Sequence, residues 1–166
     1  MTKGWNKTNE GNYSFSVANK EIGNMEISYA SLDRKAICHI EDNDFIIKRT
    51  GFWKSTIEIS NLAGQTIAKI YPEKWYANTW TFDYNEKKYK VIVRNNPLAE
   101  YAILDNSNEL AAYGLTTDNG KINVRITTPS NNSDFLFDFL LWYLFVPIAT
   151  ENMGDNFIFL MLLNNQ

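Results

Sequence analysis

The stretch FLFDFLLWYLFVPIA, Phe135 to Ala149, decides how the rest of the chain is read. A membrane span needs roughly 20 apolar residues to cross a hydrocarbon core of about 30 Å. This run is shorter, carries Asp138 inside it and meets Pro147 near its end. As a helix from Asp134 to Phe145 it would be roughly 18 Å long. That length suits the inside of a small barrel better than a bilayer. A helix that is apolar on most faces must be surrounded on most faces. Ser133 can cap its start, with Asp134 favoured in the first turn. Val146 precedes a proline, so the helix is expected to end or kink there, at about 134–146.

The chain before this run supplies the wall. Residues 1–12 are polar and are expected to form a flexible N-terminus. From 13 to 166 the sequence reads as one domain. Short segments rich in β-branched and aromatic residues follow one another, each bounded by turn formers. They are YSFSV (13–17), MEISYASL (25–32), KAICHIE (35–41), DFIIKR (44–49), WKSTIEIS (53–60), TIAKIY (66–71), TWTFDY (79–84), KKYKVIVR (87–94), EYAILD (100–105), ELAAYGL (109–115) and KINVRITT (121–128). Asn119-Gly120 is a strong tight-turn signal. Asn61, Asp83 and Asp105 recur about 22 residues apart at strand ends, as successive hairpins would place them. A short polar side chain there can bond its own backbone and start the turn. The expected fold is all-β with one helix: a closed antiparallel β-barrel of about 11–12 strands enclosing the apolar C-terminal helix, since closure removes exposed edges. The tail NFIFLMLL (156–163) is a second apolar run, read as a last strand.

Composition narrows the function. The chain has 166 residues, 45% of them hydrophobic, and a net charge of -3. That lacks the basic excess of a dedicated nucleic-acid binder. Cys38 is the only cysteine, so no intramolecular disulfide forms, and the first dozen residues lack the apolar core of a secretory signal. A cytoplasmic protein, with peripheral membrane contact, is the expectation, without a transmembrane span; the oligomeric state is left open.

No enzyme is expected. His39 is the only histidine and adjoins Cys38 in a strand. Neighbouring strand residues face opposite sides, so the two do not form a nucleophilic pair. Cys38 reads as core and His39 as wall or surface. GxSxG, HExxH, CxxC and Walker sequences are all lacking, so neither a metal nor a cofactor is expected.

Asp138 is the notable acid. It shares a helix face with Asp134 and Trp142. It is either a buried acid lining a pocket or, the more ordinary case, a residue at the barrel mouth bonded to a hydroxyl or amide. Two basic clusters stand out: Lys48, Arg49 and Lys54 around Phe52 and Trp53, and Lys87, Lys88 and Lys90 after the Asn85-Glu86 turn. Bases beside aromatics suit an anionic lipid surface, although such clusters are commonly solvated strand faces. The stretch Tyr71-Pro72-Glu73-Lys74-Trp75-Tyr76 breaks the strand rhythm and reads as a lid or a packed connection.

The hairpins ISNLAGQTIAKI (59–70), FDYNEKKYKV (82–91) and ILDNSNELAAYG (103–114), followed by DFLFDFLLWYLFVPIA (134–149), resemble the tubby C-terminal-like superfamily. That group includes tubby domains, plant LURP-one-related proteins and phospholipid scramblases. The resemblance covers about residues 13–150 and lies in the order of elements. The chain departs from it by adding NFIFLMLL and by carrying TTPSNNSD (127–134), with one carboxylate, where scramblases have an acidic segment. It implies a non-catalytic binding or scaffold domain that contacts anionic lipid head groups or a protein partner. The alternative is a hollow lipocalin-like barrel carrying a small apolar ligand, which requires the helix to pack outside.

Overall fold

The computed structural model describes residues 2–28, 34–74, 78–95, 98–128 and 134–153. Among them, twelve strands run β1 (Lys3–Asn9), β2 (Asn12–Val17), β3 (Lys20–Ser28), β4 (Lys35–Ile40), β5 (Asn43–Thr50), β6 (Thr56–Asn61), β7 (Thr66–Pro72), β8 (Thr79–Tyr84), β9 (Lys87–Asn95), β10 (Ala99–Asp105), β11 (Asn108–Asp118) and β12 (Lys121–Thr127). The helix α1 spans Leu136–Met153. Each strand pairs antiparallel with the next in chain order, giving one sheet curled into a nearly closed barrel.

The helix fills the barrel. Every residue from Leu136 to Val146 is buried, whichever face of α1 it occupies. Its rings meet rings from widely separated strands. Trp142 stacks on Trp5 of β1 at 5.1 Å between centroids, and Phe139 meets the same indole edge-on at 4.8 Å. Phe137 lies 4.9 Å from Tyr89 of β9, and Phe145 lies 6.5 Å from Tyr101 of β10. Alternation on the strands supplies the matching wall, as with Tyr13, Phe15 and Val17 on β2. Burying each large apolar side chain contributes about 1.5–3 kcal/mol.

Turn chemistry sets the hairpins. Asn119 and Gly120 both have positive φ, as the Asn-Gly signal requires. Asn61 Oδ1 accepts a hydrogen bond from the Gln65 backbone N–H at 2.9 Å, the local turn role expected for that position.

Several expectations need correction. The N-terminus is not a flexible tail: residues 3–9 form β1, and Trp5 is fully buried against α1. One indole in the helix groove holds a strand that composition reads as polar. β3 begins at Lys20, five residues before its predicted start, and β6 begins at Thr56 because residues 51–55 form the hairpin tip. The helix does not stop at residue 146 but continues through Pro147 to Met153. Burial on every side holds the first turns, and Thr150 Oγ1 bonds the Val146 carbonyl just past the proline at 2.8 Å. Asp134 caps the helix, its Oδ1 accepting from the Leu136 N–H at 3.1 Å. Ser133, Trp75, Tyr76 and the run 156–163 lie outside the described residues. Tyr71 and Pro72 of the expected lid are the last residues of β7, paired with Thr81 and Trp80.

Candidate functional site

Successive antiparallel strands place their turns at alternate ends of the barrel. The β4–β5 and β8–β9 turns stand where α1 begins. An open cleft of about 340 Å³ lies there, lined by Ile40, Glu41, Asn43, Phe45, Tyr84 and Asp134–Leu136. The turns and strand ends here carry Glu41, Asp42, Asp83, Glu86 and Asp105, with Lys20, Lys87 and Lys88 among them. Burial, and then the neighbouring Asp134 carboxylate, push the Tyr84 phenol up to about 12. This mouth is acidic and does not suit an anionic partner.

The β5–β6 tip stands at the opposite, helix-exit end. Gly51 (φ 83°) and Lys54 (φ 51°) turn the backbone through the left-handed region. The turn throws Phe52 and Trp53 outward, 90% and 84% exposed. Their rings meet edge-on at 4.9 Å. Arg49 Nη1 donates to the Lys54 carbonyl at 3.2 Å and braces the tip from below. Lys48 lies on the outer wall, 3.2 Å from Glu58, which Lys69 approaches at 3.5 Å. Those lysines hold the Glu58 carboxyl below its usual range.

The structure therefore divides the sequence-predicted lipid residues. Lys48, Arg49, Phe52, Trp53 and Lys54 come together at the helix-exit end. Lys87 and Lys88 stand at the other end, among acids, and Lys90 is paired with Glu73 at 2.9 Å. One flat surface cannot engage both groups.

Asp138 is buried; the expected hydroxyl partner is present, and a lysine joins it. Its Oδ2 accepts from Lys3 Nζ at 2.7 Å, and its Oδ1 accepts from the Tyr113 hydroxyl at 2.9 Å. Trp5 Nε1–H donates to the same phenol oxygen at 3.1 Å. Burial pushes the Asp138 carboxyl up, while Lys3 and Tyr113 pull it back. The phenol of Tyr113 is pushed well above its ordinary value, first by burial and then by the Asp138 charge. This cluster ties β1, β11 and α1 together.

Cys38 is buried in the wall, where burial raises its thiol far above the range of a nucleophile. His39 faces outward and hydrogen-bonds Asp44. Among the described residues, no cluster of histidine, cysteine and carboxylate side chains has the arrangement of a metal site. No described helix is long and apolar enough to cross a membrane.

Sequence reasoning missed Arg34. It immediately precedes β4, and its guanidinium carbon lies 4.4 Å from the centre of the Tyr143 ring on α1. Tyr143 returns a hydrogen bond from its hydroxyl to the Arg34 carbonyl at 2.7 Å. The signal available was register: an arginine two positions before the apolar Ala36 shares its face.

Comparison with known proteins gave no match: no family model, no curated protein and no solved structure matches the chain.

Proposed function

We propose that this chain is a non-catalytic binding domain of the tubby-like type that docks on an anionic lipid surface through its helix-exit end. The observation that carries the reading is the pair Phe52 and Trp53, both almost fully exposed at one hairpin tip and flanked by Lys48, Arg49 and Lys54. Large aromatics cost solvation when left in water and sit well at a head-group interface. A Lys or Arg side chain that reaches the surface adds about 1 kcal/mol against an anionic membrane. The acidic turns at the far end favour one orientation, with that end pointing away. A barrel occupied by its own helix supports action on the outer surface. A hollow carrier would call for the helix outside, so the buried α1 favours the surface reading.

The test is co-sedimentation of detergent-free protein with phosphatidylcholine vesicles, with and without phosphatidylserine, at low and high salt. Binding to the anionic vesicles that weakens with salt and disappears in the F52S/W53S double variant is expected. Equal sedimentation of parent and double variant would sink the hairpin reading. Failure to bind any vesicle would leave the exposed aromatics to a protein partner.

A further inference from the structure

Two arginines lie on neighbouring segments at the helix-exit end, Arg34 just before β4 and Arg49 near the end of β5. Ala36 of β4 pairs with Ile47 of β5, both buried, and Lys35 pairs with Lys48, the latter on the outer wall. Arg34 precedes β4, and one further step of the same register would bring it opposite Arg49. Alternation turns both toward the interior, with Ala36 and Ile47. Arg34 lies over the Tyr143 ring of α1, and Arg49 is paired with the buried Ile57 of β6. Tyr101 of β10 comes in from the far wall, near Phe145 of α1. Burial raises the Tyr101 and Tyr143 phenols and both arginines oppose that rise, which places all four groups within electrostatic range.

Like charges held near one another out of water repel. Neither arginine is joined to a carboxylate among the described residues. Arg34 Nε and Nη2 are closed off from water and bond no acceptor among the described residues. A desolvated guanidinium fork without an acceptor is costly, and costlier beside a second one. An oxyanion at the solvent side of the two half-buried guanidiniums would offset their repulsion.

We propose that Arg34 and Arg49 form an oxyanion site that takes a phosphate group. A carboxylate is satisfied by one guanidinium fork, whereas a phosphate has oxygens for two forks approaching from different strands. The Tyr101 hydroxyl is a further donor on the same side. Arg49 also braces the hairpin through the Lys54 carbonyl, so the site is coupled to the aromatic tip. The phosphate is either a lipid head group or a soluble phosphate. The site deepens the membrane reading and rests on it for the lipid source alone.

The experiment uses the full chain in two arms. In the first, inorganic phosphate is titrated against chloride at equal ionic strength and binding is read by calorimetry and melting temperature. Phosphate is expected to raise the melting temperature of the parent. R34Q and R49Q are each expected to weaken phosphate binding about tenfold or more, the size of a lost charge-assisted hydrogen bond. In the second arm, phosphatidylcholine vesicles are made equally anionic with phosphatidic acid or with phosphatidylserine. A preference for phosphatidic acid that R34Q and R49Q abolish assigns the site to a lipid phosphate. Soluble phosphate binding without vesicle binding keeps the site, assigns it a soluble ligand and removes the membrane reading. Vesicle binding indifferent to head group and to both variants keeps the membrane reading and overturns the site. Phosphate no better than chloride in both arms overturns it as well. Circular dichroism checks the fold of each variant, and R49Q, altered at a half-buried position, decides the matter if R34Q fails to fold.

Discussion

Breaking the Lys3–Asp138 pair gives the sharpest prediction about how the barrel is held shut. Both side chains are out of water, 4% and 1% exposed, with 2.7 Å between Nζ and Oδ2. Removing one partner of such a pair strands a charge in the interior and costs about 3–5 kcal/mol. A domain of this size has about 5–15 kcal/mol to lose. We predict that K3M and D138N each lower urea stability by about 3 kcal/mol or more. The double variant K3M/D138N leaves no stranded charge, and its asparagine oxygen still accepts from Tyr113. It should recover at least about 2 kcal/mol of the summed single losses. The pH dependence follows from the same geometry. Burial raises the Asp138 carboxyl above its ordinary value of 3.8, with Lys3 and Tyr113 opposing. A raised folded value means the folded state holds that proton more tightly. The resulting stability is full below about pH 3.8 and is lost as pH rises through the folded value. K3M removes an opposing charge, so its window should extend to higher pH, and D138N should lack this component. Single losses that simply add, to within about 0.5 kcal/mol, would refute the reasoning.

Other outcomes follow from single positions. A Cβ at Gly23 would stand 2.0 Å from the His39 carbonyl oxygen across the β3–β4 pair, so G23A should lose about 1–3 kcal/mol or more in urea unfolding. Pro147 sits inside α1 and cannot donate to the carbonyl four residues back; P147A should raise stability by about 1–3 kcal/mol, and a drop would show that the proline's shape is needed there. Cys38 should resist a thiol reagent in the native state and react only at the rate of unfolding; fast native labelling would contradict its burial.

The fold was legible where one signal dominated. An apolar run too short for a bilayer, preceded by a chain of hairpins, specifies a core helix and its wall. The even recurrence of Asn61, Asp83 and Asp105 marked turns because short polar side chains act locally. Elements held by distant partners were not legible. β1 depends on Trp5 reaching Trp142 and on Lys3 reaching Asp138, 135 positions away, and nothing within KGWNKTN records those contacts. The path through Pro147 is set by burial of α1 on all sides, which overrides the local rule for proline. For the candidate site, Phe52 and Trp53 could be named from the sequence, but their exposure depends on positive φ at Gly51 and Lys54. The separation of Lys87 and Lys88 from Lys48 and Arg49 follows from counting the three strands between the two turns, β6, β7 and β8, and all three are marked in the sequence. Arg34 became visible only when the register of β4 on β5 pointed it toward Arg49.

The central claim is that the Phe52–Trp53 tip enters an anionic interface, and Trp53 reports on that directly. Of the five tryptophans, Trp5 and Trp142 are buried and Trp53 is the one at the tip. Fluorescence of the parent and of W53F is measured with phosphatidylcholine–phosphatidylserine vesicles carrying lipids brominated at different depths. The account predicts strong quenching of the parent by shallow bromines and little quenching of W53F. Quenching that is equal in the two proteins would place the membrane contact elsewhere on the barrel and contradict the account.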